Sequence, residues 1–338
     1  MFAALLTVWQ SDLVAADFPG VMVYATGGTI AGAAKSGLNT TTYKAGSMGV
    51  QDLLEAVPEL KSIANISSKQ ISNVRSADIY QNTLLTLAKE AQEKLKDPNI
   101  HGIVVTHGTD TLEETAFFLD LTIRSPKPVV VVGSMRPATA ISADGPMNLL
   151  QAVSLAASPE ASNRGVLVSL NDRIGSAFYT VKTNTTALDT FRASEQGYLG
   201  MFIGAQPRFF YTAATPTAKP YFDVSTISSL PKVSIIYMHE DQSNEQIDSA
   251  IQAGAKGLII AGSGNGAVPT TVRERLAELK KAGYPVIRSS RTGSGFTTTK
   301  PESLGAGILN PQKARILLML ALANQSDLAQ IARYFNEP

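Results

Sequence analysis

Cysteine is absent from this 338-residue chain, histidine is limited to His101, His107 and His239, and charged residues make up only 17%. The first absence removes disulfides, thiolate nucleophiles and thiolate metal ligands, and it is compatible with a reducing or an oxidising compartment. The second leaves no two imidazoles at the i, i+4 spacing that puts both on one helical face, which argues against a catalytic zinc site. Lys and Arg number 29 against 28 Asp and Glu, a formal net charge of +1, so no surplus of charge directs the chain to nucleic acid or to an acidic membrane. Nor does any stretch approach the ~20 continuous apolar residues of a spanning helix. Residues 314–323 are short and broken by Arg315.

What is present is a hydrophobic content of 44%, enough for a large core, in a length that at roughly 150 residues per domain predicts about two domains. Apolar, β-branched runs alternate with segments of helical period, the pattern of an α/β protein with a parallel sheet and crossover helices. Strands are predicted over 21–25, 102–106, 129–132 and 166–170, each nearly all apolar, as strands covered on both faces should be. Leu84, Leu85, Leu87, Ala88, Ala91 and Leu95 form one face of a helix that Asp97-Pro98 ends, and another helix starts near Pro146 with Asp144 as its cap. A Thr, Ser, Ala and Pro-rich stretch over 212–229 then interrupts the pattern. Beyond it, strands are predicted over 233–238, 257–261 and 285–289 and helices over 270–282 and 311–323, with Asn310-Pro311 as cap and first helical residue. The expected architecture is a larger N-terminal domain (18–211) with a parallel-rich sheet flanked by helices, a linker (212–230), and a smaller C-terminal α/β domain (231–338) with its own parallel sheet. Residues 1–17 read as a signal remnant or an unstructured terminus. Val14-Ala15-Ala16 has the form of a cleavage site, although no Lys or Arg precedes the apolar run over 2–9.

In parallel sheets, ligands bind beyond the carboxyl ends of strands, and three of these ends carry hydroxyl-rich loops. They are Thr26-Gly27-Gly28-Thr29-Ile30-Ala31-Gly32, Thr106-His107-Gly108-Thr109-Asp110-Thr111 and Gly133-Ser134-Met135-Arg136-Pro137. Paired glycines let backbone N–H groups approach a carboxylate or a developing oxyanion. The first loop also reads as a tight turn or a phosphate site, although its spacing is not G-x-G-x-x-G, and Thr109-Asp110 also reads as an N-cap pair ahead of Leu112, Thr115, Ala116 and Leu119. A threonine nucleophile needs a base, for which Lys182 is a candidate; its alternative is a solvated loop lysine. A triad built on His107 is a further option, but no G-x-S-x-G elbow accompanies it.

These loops carry a resemblance. Residues 25–32 and 106–111 are similar to the two signatures of the bacterial-type type II L-asparaginases and glutaminase-asparaginases. Residues 133–137, 142–145, 182–185 and 309–315 extend the similarity over nearly everything after Asp17. The resemblance implies hydrolysis of the side-chain amide of L-asparagine through an acyl-enzyme, with no metal or organic cofactor. It implies Thr29 as nucleophile, Tyr43 as a lid tyrosine assisting proton transfer, Thr109 as a second hydroxyl activated by Lys182, and Asp110 as the partner of the substrate's ammonium. Gly28 lies in the nucleophile loop, and Ser76 matches the serine that binds the substrate carboxylate. The chain departs from the family at Ala77, where relatives carry Gln or Glu, and Ser134 stands where many asparaginases have Ala and stronger glutaminases often have Ser. Asn265, in Gly262-Ser263-Gly264-Asn265-Gly266, and Glu302 match residues that a neighbouring subunit contributes, which implies a homotetramer built as two intimate dimers. The type II likeness implies a periplasmic or secreted protein, with the cytoplasm as the alternative. Competing readings are glutamine or D-asparagine as main substrate, a non-catalytic amino-acid-binding protein motivated by Ala77, and a nucleotide-dependent enzyme, which the missing phosphate-loop spacings oppose.

Overall fold

A computed structural model describes residues 18–336, so the expected signal remnant over 1–17 lies outside the described residues. In chain order the first half of the protein runs β1 (Gly20–Gly27), α1 (Val50–Glu55), β2 (Asn65–Val74), α2 (Gln81–Lys94), β3 (Ile100–Thr106), α3 (Leu112–Thr122), β4 (Val129–Val132), α4 (Gly145–Ala157) and β5 (Val166–Leu170). Shorter strands follow: β6 (Arg173–Ser176), β7 (Val181–Lys182), β8 (Phe191–Arg192), β9 (Gly200–Ile203) and β10 (Gln206–Phe209). After residues 210–232, which hold neither helix nor strand, come β11 (Val233–Tyr237), α5 (Glu245–Gln252), β12 (Gly257–Gly262), α6 (Thr270–Lys281), β13 (Val286–Ser290), β14 (Leu304–Gly305), α7 (Pro311–Ala323) and α8 (Leu328–Asn336).

The fold is α/β with two sheets of unequal size. The larger has eight strands in the order β10-β9-β6-β5-β4-β3-β1-β2; β2 through β5 are parallel, and β6, β9 and β10 close the far side antiparallel. The smaller is a parallel sheet in the order β11-β12-β13-β14. The predicted strands fall inside β1, β3, β4, β5, β11, β12 and β13 to within a residue or so. Strand β2 escaped the pattern because it lies at the sheet edge and alternates between exposed and half-covered residues.

Period-two alternation sends successive residues of the central strands to opposite faces, and both faces are buried. Val21, Val23, Val104, Val130 and Val132 pack with Leu53 of α1 and Leu149 and Val153 of α4. Met22, Tyr24, Ile103, Val105, Val129 and Val131 pack with α2 and α3 on the other side. That second core continues without a break through Ile316 to Ala321 of α7 into Ile259 and Ile287 of the small sheet. Helix α7 is therefore covered all round, as its continuous apolar run requires, and it joins the two sheets. The irregular segment between them is also anchored. Phe222, Val224 and Leu230 are buried in the same core, the Phe222 amide donates to the Leu121 carbonyl, and Lys219 pairs with Asp120 at 2.7 Å.

Candidate active site

The sheet order places β1 between β2 and β3, so the chain leaves β1 for one neighbour and returns to the other, opening a crevice at the carboxyl ends of β1 and β3. The two hydroxyl-rich loops emerge there side by side. A Cβ on Gly28 would stand 2.2 Å from Gly108 Cα, and Gly28 has φ +83°, so the backbones of the loops touch at a point where only glycine fits. A Cβ on Gly108 would in turn stand 2.9 Å from the Ser76 side chain. This contact seats Thr29 and Thr109, each the next residue along, at adjoining strand ends, both nearly buried.

Each threonine has its own polar partner. The Thr29 and Tyr43 hydroxyls are 2.7 Å apart. Tyr43 is half-buried on a loop pinned by paired backbone bonds between Ala33 and Lys44 and by the Gly46 amide donating to the Gly28 carbonyl. Lys182 Nζ donates to Thr109 Oγ1 at 3.1 Å and to Asp110 Oδ1 at 2.6 Å. The lysine side chain is 14% exposed, whereas Asp110 keeps 75% of its side chain in solvent. Lys182 is thus not a solvated loop residue; it lies on β7, one half of a two-stranded ribbon with β8, and reaches back to the β3 loop. Thr109 and Asp110 are not caps either, because α3 begins at Leu112 after Thr111.

The remaining site residues fall into three groups. Ser76 is buried, and its carbonyl accepts from Thr111 Oγ1, while Ala77 beside it is exposed. Ser134, at the end of β4, is fully buried and donates its hydroxyl to the Arg136 carbonyl at 2.7 Å. Asn265, in the loop after β12, and Glu302, just before β14, belong to a separate network on the small sheet. Asn265 exchanges hydrogen bonds with Thr298, whose carbonyl accepts from Arg288, and Arg288 reaches Glu302 at 3.3 Å.

Two expectations change. Asp144 stands at the start of α4, but its carboxylate caps no helical amide; it accepts from the Met135 and Arg136 amides, both at 2.9 Å, and so clamps the β4 loop. His107 is wholly buried, with Nδ1 2.7 Å from the Gly108 carbonyl and Nε2 2.9 Å from Thr115 Oγ1. A carbonyl only accepts, so Nδ1 carries the proton and Nε2 accepts from Thr115. Burial pushes this imidazole down to about 4. With both nitrogens engaged in holding the loop, a triad on His107 is ruled out.

Sequence reasoning missed Glu113. It lies on α3 facing inward, 4% exposed, and accepts from the Lys182 amide at 2.6 Å and from Asn310 Nδ2 at 2.9 Å. Its neighbours come from β7 and from the start of α7, distant in sequence, and only its place among the apolar residues of α3 could have drawn attention to it. Among the described residues no cluster of His, Asp and Glu could hold a metal ion, and no helix is long and apolar enough to cross a membrane.

Residues 20–215 match the family model described as Asparaginase, N-terminal, and residues 232–335 match the Glutaminase/Asparaginase C-terminal domain. The chain is 51% identical over 328 residues to L-asparaginase 2 of Bacillus subtilis (strain 168), covering 95% of this chain and 87% of that protein. It is 44% identical to a probable periplasmic L-asparaginase of Haemophilus influenzae, over 96% and 94% of the two chains. The crystal structure of a probable cytoplasmic L-asparaginase from Campylobacter jejuni superposes with a TM-score of 0.89 at 43% identity, covering 94% of this chain and 99% of that one.

Proposed function

This chain belongs to the asparaginase family, hydrolases of carbon–nitrogen bonds in linear amides, and on that premise we propose that it hydrolyses L-asparagine to L-aspartate and ammonia through an ester on Thr29. The observation that carries the reading is the pairing of two buried threonines at adjoining strand ends, one with a phenol at 2.7 Å and one with an ammonium at 3.1 Å. Thr29 Oγ1 attacks the side-chain amide carbon, and its proton passes by way of the Tyr43 oxygen to the departing nitrogen. The C–N bond breaks, ammonia leaves, and the acyl group stays on Thr29 as an ester. Amides of the glycine-rich loops offer donors for the oxyanion, each worth on the order of 10²-fold in rate. Water then adds to the ester with Lys182 acting as the free amine, its ammonium proton having passed to solvent: the water proton moves through the Thr109 hydroxyl to Lys182, and a proton returns to Thr29 Oγ1 as the ester C–O bond breaks, releasing the acid and restoring Thr29.

Ser76 and Asp110 serve the substrate's carboxylate and ammonium. The substrate's ammonium competes with Lys182 for Asp110, so binding loosens their ion pair. A second reading, with glutamine or D-asparagine as main substrate, draws on Ala77, whose methyl group cannot hydrogen-bond the amino end of any substrate. Ser134 adds little to it, because its proton is committed to Arg136. Asn265 and Glu302 complete the site of a neighbouring subunit in a homotetramer of two intimate dimers, and the exposure of Asn265 in the loop after β12 favours such a role. Placement in the periplasm or outside the cell, rather than in the cytoplasm, rests on the residues before Asp17; among relatives, one is named periplasmic and one cytoplasmic. The amino-terminal sequence of the protein taken from its native cell decides it.

The deciding experiment is ammonia release from L-asparagine, D-asparagine and L-glutamine by the purified protein and by Thr29→Ala. Turnover of L-asparagine above the others, lost in the variant, is expected. A variant as active as the parent would overturn the nucleophile assignment, and faster glutamine or D-asparagine turnover would favour the second reading.

A further inference from the structure

Lys182 is held by a very small element. Strand β7 has two residues and pairs only with the two residues of β8, outside the larger and the smaller sheet alike, so its own ladder supplies few of the bonds that fix the lysine. The rest come from across the molecule. Glu113 takes the Lys182 amide on one carboxylate oxygen, at 2.6 Å, and Asn310 Nδ2 on the other, at 2.9 Å. Asn310 is at the same time the N-cap of α7, its Oδ1 accepting from the Lys313 amide at 2.9 Å. One turn into α7, the fully buried Lys313 ammonium donates to the carbonyls of Ala177, Phe178 and Thr180, the residues that lead into β7. The segment bearing Lys182 is thereby tied at four points to α3 and to the first turn of α7.

A carboxylate that is 4% exposed has given up most of its hydration, a cost its hydrogen bonds must offset. Glu113 spends those bonds on the Lys182 backbone and on the cap of a helix from the other sheet. We propose that Glu113 and Asn310 form a positioning pair, through which the N-cap of α7 sets the placement of Lys182 against Thr109. The inference rests on reading Lys182 as the base of the reaction. A base displaced by about 1 Å can lose on the order of 10² in rate while substrate contacts made elsewhere persist. The pair therefore acts on the hydrolysis of the ester: kcat falls, KM falls with it as the ester accumulates, and kcat/KM, which is set by ester formation, is spared.

Reversing the polarity of the bond tests this. Asn310→Asp keeps an N-cap oxygen for the Lys313 amide, so α7 stays capped, but it sets a carboxylate against Glu113. Adding Glu113→Gln turns the bond round: the new amide N–H donates to the new carboxylate, and its oxygen still accepts from the Lys182 amide. Expected for Asn310→Asp is a kcat for L-asparagine at least tenfold lower, with kcat/KM changed less than threefold. In Asn310→Asp/Glu113→Gln, kcat should return to within threefold of the parent. Should Asn310→Asp not fold, Asn310→Ser keeps a capping hydroxyl too short to reach Glu113, and it should show the same loss in kcat with kcat/KM spared. Parental kcat in whichever single variant folds, or a double variant no better than Asn310→Asp, would overturn the proposal. Lys182→Met separates this from the underlying assignment: full turnover in that variant would remove Lys182 as the base, whereas an inactive Lys182→Met beside a fully active Asn310→Asp would remove only the positioning pair.

Discussion

Removing the Tyr43 hydroxyl separates the proposed proton path from packing, because the ring of Tyr43 lies against Gly32 and the oxygen faces Thr29. In Tyr43→Phe the ring and its loop are retained, so kcat should fall on the order of 10²-fold while the melting temperature stays within a few degrees, measured by ammonia release and thermal denaturation. Gly28 is the opposite case. An added methyl would overlap Gly108 Cα and occupy a φ of +83°, so Gly28→Ala should separate the two loops and abolish turnover even where the chain still folds. A circular dichroism spectrum beside the assay tells loop separation from unfolding. These residues stood out as candidates because hydroxyls and paired glycines cluster in short strand-end loops, and the resemblance to the family signatures chose among the turn, cap and site readings. Glu113 did not stand out, since a carboxylate at one helical position reveals its partners only when three remote segments meet.

At the scale of elements, the β3–α3 loop is held by His107 in its neutral form, and this sets a pH dependence. The unfolded chain takes up a proton on this residue below about 6.5, while the folded protein resists it down to about 4. Protons therefore favour the unfolded state across that interval, and stability present at neutral pH is lost as pH falls through it. The His107 contribution is roughly 3 kcal/mol, readable as a fall in denaturation midpoint between pH 7 and pH 4 that is reduced in a folded His107→Gln variant. The irregular segment between the sheets divides in the same physical manner. Residues 212–215 are exposed, whereas Phe222, Val224 and Leu230 are buried, so limited proteolysis should nick the chain in the first part and spare the second. Composition marked this whole stretch as a linker; it could not show that alternate apolar residues within it would find the core beside α3.

For the whole molecule, the expected dependence of each site on a neighbouring subunit has a direct consequence. Thr29→Ala and Asn265→Ala proteins should each be impaired alone, yet subunits of the two kinds co-assembled in one oligomer should regain activity, since some sites then unite an intact Thr29 with an intact Asn265. Light scattering should give a mass near four chains of 35.8 kDa. No recovery on co-assembly, or full activity in a monomer, would contradict a shared site. Within one chain, continuity of the core through α7 makes the two sheets a single packing unit, so apolar truncation at Leu317 should lower the stability of both together by about 2–5 kcal/mol, seen as one cooperative transition.

The sequence by itself determined the alternation of strands and helices, the apolar faces and the three strand-end loops, because these depend on period, side-chain polarity and backbone freedom within a few residues. It also marked Thr29, Thr109, Asp110 and Lys182 as candidates, with roles that the resemblance of their loops to the family signatures implies. Only the tertiary structure decided that Gly28 abuts Gly108, that Asp144 clamps the β4 loop, that His107 is spent on backbone geometry, and that Glu113 links Lys182 to α7. Each of these is a contact between segments far apart in the chain. Such contacts follow from the order in which strands enter the sheet and the way helices close over it, which no local pattern encodes.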